Sequence, residues 1–438
     1  MPPSRPRTVP ERRTRTDLLI SALIVVVVLV AGVVIWWFSP VRHTTLDQSG
    51  RLVPAAGTAR TVPAALVPLW QAPSSATRVP ALSRALVITG DDGAVVARDP
   101  ATGKQVWRYY RNRRVCSVLA AWRDSHDTVL AVYGNSRGCS EVTALQGETG
   151  ARTGARTSDA DKSVELAGGS NYVLAQGRTR LETWGTNLVR GIEYGRIEAP
   201  VKPDAQPQRT GCDISSAVLG GDRLALIEHC ADDHGYRLTV LGVNQDDDEK
   251  VRQFGSTVIT RGTADGPPPA VVAMSSSAIA VYDGGANPPE PDAAGVSDAA
   301  VPRRASVRQF NSDGVQQRTN TVSGPRALPV PNASISGDGL TTFWTGRATV
   351  VLDASSMRPA FQVPGTLGPG QTMAGQLLLP IASGISVRDP ATMKEIRTIR
   401  YARDGYNAER DGMVALRVLG DRVVEQWGST VAAYGPPA

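Results

Sequence analysis

The tract Glu228-His229-Cys230-Ala231-Asp232-Asp233-His234 gathers carboxylate, imidazole and thiol side chains within seven residues. Those are the ligands of a zinc site, provided the cysteine is a thiolate. An oxidised Cys230 removes that ligand, and a polar loop after a strand accounts for the remaining residues, so no metal ligand is assigned. Asn244–Lys250, NQDDDEK, carries enough carboxylate to suggest calcium. Its acids are consecutive, however, and the spaced glycine and closing glutamate of an EF-hand loop are missing. It reads as a solvated turn. The arginines of Arg108–Arg114, RYYRNRR, have the chemistry to grip an anionic envelope polymer or a lipid headgroup, although a charged outer strand and loop presents the same residues. No lysine has a serine three positions before it, which removes the Ser-x-x-Lys nucleophile pattern. No catalytic residue, cofactor or cofactor-binding residue is assigned.

The remaining reactive groups are four cysteines, Cys116, Cys139, Cys212 and Cys230, none in a C-x-x-C motif. In an oxidising compartment they form two disulfides, with three pairings open. Leu18–Phe38 is consistent with that compartment, being 21 residues without a charge, long enough to span a bilayer and ending on Trp36, Trp37 and Phe38. A signal peptide would have a shorter apolar region and small residues at its cleavage site, whereas two tryptophans stand there. Five arginines precede the span, placing residues 1–17 in the cytoplasm and the rest outside. Half of the chain's +6 charge lies in those 17 residues. The nearly neutral body has no electrostatic reason to bind nucleic acid. Residues 39–65 are rich in Pro, Ala, Thr and Gly and read as a linker.

Beyond the linker no amphipathic helical period is found, only short apolar or alternating runs separated by turn residues, which predicts an all-β chain. The runs repeat. A strand, a Gly-containing turn, a second strand, a polar turn and a third strand recur from starts at 85, 127, 171, 222, 278, 340, 377 and 422. Spacings of roughly 40–50 residues with four short strands each indicate β-propeller blades. Eight four-stranded blades are expected, with seven as the alternative. The last copy lacks its outer strand, and Leu66–Ala72 has no blade of its own. That N-terminal strand is expected to complete the last blade and close the ring over residues 66–438. Residues 284–304 and 199–210 are Pro-rich insertions, the first expected to be disordered.

The blades also suggest the cysteine pairing. Cys212 opens one strand and Cys230 ends the next, and a register about Gly220-Gly221 that sums to 442 sets them opposite each other. Cys116 and Cys139 hold the same blade position, so the pairs are 116–139 and 212–230. The five residues Arg98-Asp99-Pro100-Ala101-Thr102 return as Arg388-Asp389-Pro390-Ala391-Thr392. Asp99 suits an Asx turn supported by Thr102, and Gly103 supplies a positive φ. Trp107 then packs between blades. Asp353, Asp389 and Thr392 mark the same turn elsewhere, and Trp70 takes the place of Trp107 in the N-terminal strand. In the second copy Met393 and Arg397 stand where glycine and tryptophan would be.

The pattern Asp99-x-x-Thr102-Gly103-x-x-x-Trp107 resembles the tryptophan-docking repeat of PQQ-like, quinoprotein-type β-propellers. That resemblance is full in one blade and partial in about four. It implies an eight-bladed ring, and for the enzymatic members PQQ in the central funnel. Those enzymes carry a vicinal cysteine pair that this chain lacks, so non-catalytic use of the ring as a docking surface is expected. The partner expected is an envelope or membrane protein, or an envelope polymer. A quinoprotein-type oxidoreductase and an extracellular ligand sensor are the alternatives.

Overall fold

The computed structural model describes residues 14–198, 202, 204–207, 209, 211–233, 235–259, 268–284, 305–322 and 334–437. The expected insertion at 284–304 lies outside them apart from Gly284.

Arg15–Trp37 is one helix, uncharged beyond Asp17, with no buried residue. Thr14 caps it, its hydroxyl accepting from the Asp17 amide while the Asp17 carboxylate accepts from the Thr14 amide. The helix is long and apolar enough to cross a bilayer.

The rest is a ring of eight antiparallel blades. From inner to outer strand, blade 1 is Ala81–Leu82, Val87–Asp91, Ala94–Arg98 and Gln105–Arg111. Blade 2 runs from Val115–Ala121 out to Arg152–Thr157, blade 3 from Glu165–Gly168 to Arg190–Gly195, and blade 4 from Asp213–Gly220 to Val251–Val258. Blades 5, 6 and 7 begin at Ala270–Met274, Ile335–Gly337 and Gln371–Met373. Blade 8 has Val414–Leu419, Arg422–Trp427 and Thr430–Gly435, and its outer strand is Val67–Pro73 from the other end of the chain. Each of the eight repeat starts falls within two residues of the second strand of a blade.

Burial follows from this arrangement. The alternating apolar residues of each strand face a neighbouring blade on both sides, so there is no single core. Nine apolar clusters form instead among the described residues, eight of them one wedge per blade junction and the ninth a small one around Met413 and Ala415. Trp107, Tyr109, Val118 and Tyr133 fill the wedge between blades 1 and 2, and Trp427, Tyr434, Ile385 and Ile399 the one between blades 7 and 8.

The segment 39–65 is not the free linker its composition suggests. Pro40–His43 is a turn of 3-10 helix, and Thr44–Asp47 pairs antiparallel with Gln105–Arg111 as a fifth strand on blade 1. Alternation of Thr44, Thr45, Leu46 and Asp47 suffices for an edge strand, and Leu46 packs onto the first wedge. Val62 is buried against blades 7 and 8. A short strand added to an existing edge needs little sequence signal, because the partner strand supplies the order. Residues 199–210 are also attached where described: the Ala205 carbonyl accepts from Val251 N, and the Gln206 side chain bonds both backbone groups of Gly195.

Candidate functional site: blade junctions and central channel

The repeated turn is a clamp built on one carboxylate oxygen. Asp99 Oδ1 accepts from Ala101 N at 3.0 Å, Thr102 N at 2.8 Å and Thr102 Oγ1 at 2.9 Å. Asp389 repeats this with Ala391 and Thr392 at 3.0, 2.8 and 3.0 Å. Asp353 uses Ser355 and Ser356, and those donors hold its carboxyl down at about 2. In blade 2 Gln146 takes the aspartate's role, accepting from Glu148 N and Thr149 N at 2.8 Å.

What the turn serves is the blade before it. Trp107, on the outer strand of blade 1, lies against Gly150 in the turn of blade 2 and donates from Nε1 to Gly147 O at 2.9 Å. Trp70, on the outer strand of blade 8, lies against Gly103 of blade 1 and donates to Pro100 O at 3.1 Å. A Cβ on Gly103 or Gly150 would come within 2.6 and 2.7 Å of the indole. Both glycines also have positive φ, +68° and +75°. Elsewhere the pair is exchanged for another that fills the same space. At the junction of blades 2 and 3 the outer strand carries Gly154 and the turn carries Leu188, which reaches toward it. At the junction of blades 6 and 7 Phe361 packs with Met393. Arg397, in the tryptophan position of blade 7, faces no turn. The N-terminal segment lies there instead, and Arg397 donates to Val62 O and Pro63 O at 2.8 and 3.2 Å. In the second copy Met393 thus fills the junction of blades 6 and 7 in place of glycine, and Arg397 holds the N-terminal segment in place of tryptophan.

The cysteines pair as 116–139 and 212–230, and no free cysteine remains. Their geometry differs from the expected one in two respects. The hairpin after Gly220 has register sum 443 from Gly220↔Arg223 to Ser216↔Ile227, and a bulge near Ser215 shifts it to 442 at Asp213↔His229. The bulge, not the turn, sets Cys212 opposite Cys230. Cys116 and Cys139 are not hairpin neighbours: 116 lies on the first strand of blade 2 and 139 on the third. Their bridge passes over Gly134 of the strand between, with Cys116 Sγ 3.6 Å from the place of its Cβ.

The polar residues that suggested chemistry are mostly structural partners. Cys212, Glu228 and Cys230 lie close enough to share a metal ion, yet the sulfurs are bonded to each other, and Glu228 accepts from Tyr194 Oη at 3.0 Å and pairs with Arg209 at 3.2 Å. His229 packs on Tyr236, and His234 lies outside the described residues. Asp246 and Lys250 close a turn, with Lys202 on Glu249 and Lys250 on Asp204. Of Arg108–Arg114, Arg111 and Arg113 both pair with Glu141, and Arg114 donates to Lys162 O. One pattern the sequence reading passed over is Gly134-Asn135-Ser136-Arg137-Gly138, which has nucleophile-elbow spacing. It joins two strands of a hairpin, not a strand to a helix, and no histidine bonds its serine among the described residues.

Buried ion pairs cross the junctions as well. Arg180 bonds Glu182 at 2.6 Å and Glu193 at 2.5 Å, while Arg156 reaches Glu182 from blade 2 at 3.1 Å. Arg403 bonds both oxygens of Glu425 at 2.7 Å and the carbonyls of Ile381 and Gly384. Tyr401 joins them at 2.8 Å, and burial, then Glu425, pushes its hydroxyl far above the usual tyrosine range.

At the centre, the inner strands of blades 8, 1, 2 and 3 enclose a cavity of about 40 Å³ lined by Arg417, Ser117, Leu119 and Glu165. Arg78 pairs with Glu165 at 3.0 Å across it. Burial raises the Glu165 carboxyl despite that arginine.

No protein-family model matches the chain, and no curated protein does. Solved structures do. The computationally designed protein Ika8 is 13% identical, covering 88% of this chain and 100% of its own, with a TM-score of 0.50. The dihydro-heme d1 dehydrogenase NirN is 12% identical over 83% of this chain and 78% of its own, at 0.49. The Neurospora crassa Pan2 WD40 domain is 10% identical over 74% and 90%, at 0.41. At such identities the likeness is one of fold, and what this chain shares with the first of them is the propeller.

Proposed function

We propose that the chain is a single-pass membrane protein, N-terminus in the cytoplasm, whose extracytoplasmic propeller is a non-catalytic docking module for an envelope or membrane protein. The observation that carries this is the short path from helix to ring. The helix ends at Trp37 and the edge strand of blade 1 begins at Thr44. Six residues reach about 20 Å at most. Arg42 stacks 4.3 Å from Trp36 and 4.5 Å from Trp37, and Asn112 N donates to His43 O at 3.2 Å. Blade 1 is thus tied close to the end of the helix. The arginines ahead of the helix favour this orientation, and two disulfides suit an oxidising compartment. The ring's mechanism is presentation. Junctions cross-bonded by indoles and ion pairs keep the faces preorganised, which lowers the ordering cost of binding.

The test is photo-crosslinking in cells from positions on either face of the ring in the full chain. One envelope protein captured from one face, and lost when residues 67–73 are deleted with the anchor intact, is the expected result. The same abundant membrane proteins captured from both faces and from the opened ring would overturn the reading.

A further inference from the structure

We infer that the central channel holds a small oxyanion, a carboxylate or phosphate group, bound by Arg417. This does not depend on the docking reading. Arg417 stands mid-strand in Val414–Leu419, the inner strand of blade 8, and its side chain lines the channel cavity. Its Nε is sealed from solvent and has no hydrogen-bond partner. Among the described residues no acid pairs with it. Glu165, the acid lining the same cavity, is taken by Arg78. Burial, and secondarily the positive charge of Arg123 in the loop after the inner strand of blade 2, lowers the Arg417 guanidinium to about 10.

Between the blades, other sealed arginines reach an acid, three of them with an equally unbonded Nε. Arg156, Arg180, Arg209 and Arg403 each meet a buried glutamate. A partly buried guanidinium without a counter-charge is costly. An anion on Arg417 removes that cost. The planar fork of arginine fits the two oxygens of a carboxylate or phosphate. A water needs roughly 10–15 Å³ of such space, so a cavity of about 40 Å³ suits a group of acetate or phosphate size. It does not suit a large multi-ring acid.

The experiment uses the full chain in detergent at fixed ionic strength, with sodium chloride exchanged stepwise for phosphate or acetate, and reads the melting temperature and calorimetric binding. A saturable rise of about 2 °C or more is expected at a hundredfold excess over the dissociation constant. A rise with phosphate alone identifies a phosphate ligand, and one with acetate a carboxylate. In Arg417→Met the rise disappears, while the anion-free protein melts no lower than the parent. In Arg137→Gln, which removes an exposed turn arginine, the rise persists. If Arg417→Met does not fold, Arg417→Lys carries the test, with binding expected about tenfold weaker because the fork is gone. The inference is overturned by no anion-specific rise, by an equal rise in Arg417→Met, or by unchanged binding in Arg417→Lys.

Discussion

Gly103 and Gly150 each combine a positive φ with an indole lying where a side chain would begin, so an added methyl group meets two penalties together. Gly103→Ala and Gly150→Ala should each cost roughly 2–4 kcal/mol. Gly339 and Gly405 have φ of +76° and +81° with nothing near the Cβ position, and alanine there should cost only about 1–2 kcal/mol. Denaturant midpoints of the four variants check this, and equal losses would mean that the indole contact contributes nothing. Arg403 and Glu425 are a second sensitive pair, both almost wholly buried. Arg403→Met alone should destabilise by about 3–5 kcal/mol, since it strands the glutamate, whereas Arg403→Met with Glu425→Leu should recover most of that. The turn aspartates contribute to the loss of stability in acid. The folded carboxyl of Asp353 lies near 2 against 3.8 ordinarily, and that of Asp389 is also lowered. A lowered carboxyl contributes stability above its unfolded value that is lost as pH falls toward the folded one. Asp353→Asn keeps an acceptor for the turn but removes the charge, so its urea midpoint should change less than the parent's between pH 4 and pH 2. Both groups are exposed, and the difference is a modest one.

Between neighbouring elements the ring is held by complementary pairs, one member on an outer strand and the other on the following turn. The Gly154–Leu188 pair gives a direct check of that rule. Gly154→Trp should destabilise, because Leu188 occupies the space, and adding Leu188→Gly should restore most of the loss. A double variant as unstable as the sum of the singles would refute the pairing. Each disulfide contributes about 3 kcal/mol on the chain-entropy account for loops of this length, and peptide mapping without reductant should return only 116–139 and 212–230. Strand positions were legible in the sequence because period-2 burial and turn residues recur in every blade, and Trp70 could be matched to Trp107 by type alone. The partners of the tryptophans were not. Those contacts lie between blades, and only the fold tells which glycine faces which indole. The bulge near Ser215 and the strand skipped by Cys116–Cys139 were invisible for a related reason, since nothing local marks them. Thr44–Asp47 was read as linker because its pairing is supplied by blade 1. Arg417 gave no signal either, since only the fold shows that the acid lining its cavity, Glu165, is paired with Arg78 instead.

For the whole molecule, ring closure and the apolar helix belong to the same end of the chain. The N-terminal segment begins as a helix long and apolar enough to cross a bilayer, adds an edge to blade 1, contacts blades 7 and 8 at Val62, and completes blade 8 through Val67–Pro73. On the proposed topology any docking on the ring takes place near that helix, and the docking proposal rests on the ring lying outside the membrane. Because all four native cysteines are bridged, an introduced cysteine can be labelled without background. Intact cells carrying the full chain with either Ser4→Cys or Val189→Cys are treated with a membrane-impermeant maleimide; Val189 is 63% exposed in blade 3. The account predicts labelling at 189 in intact cells and at 4 only after permeabilisation. Labelling at 4 in intact cells, or protection of 189 until lysis, would contradict it.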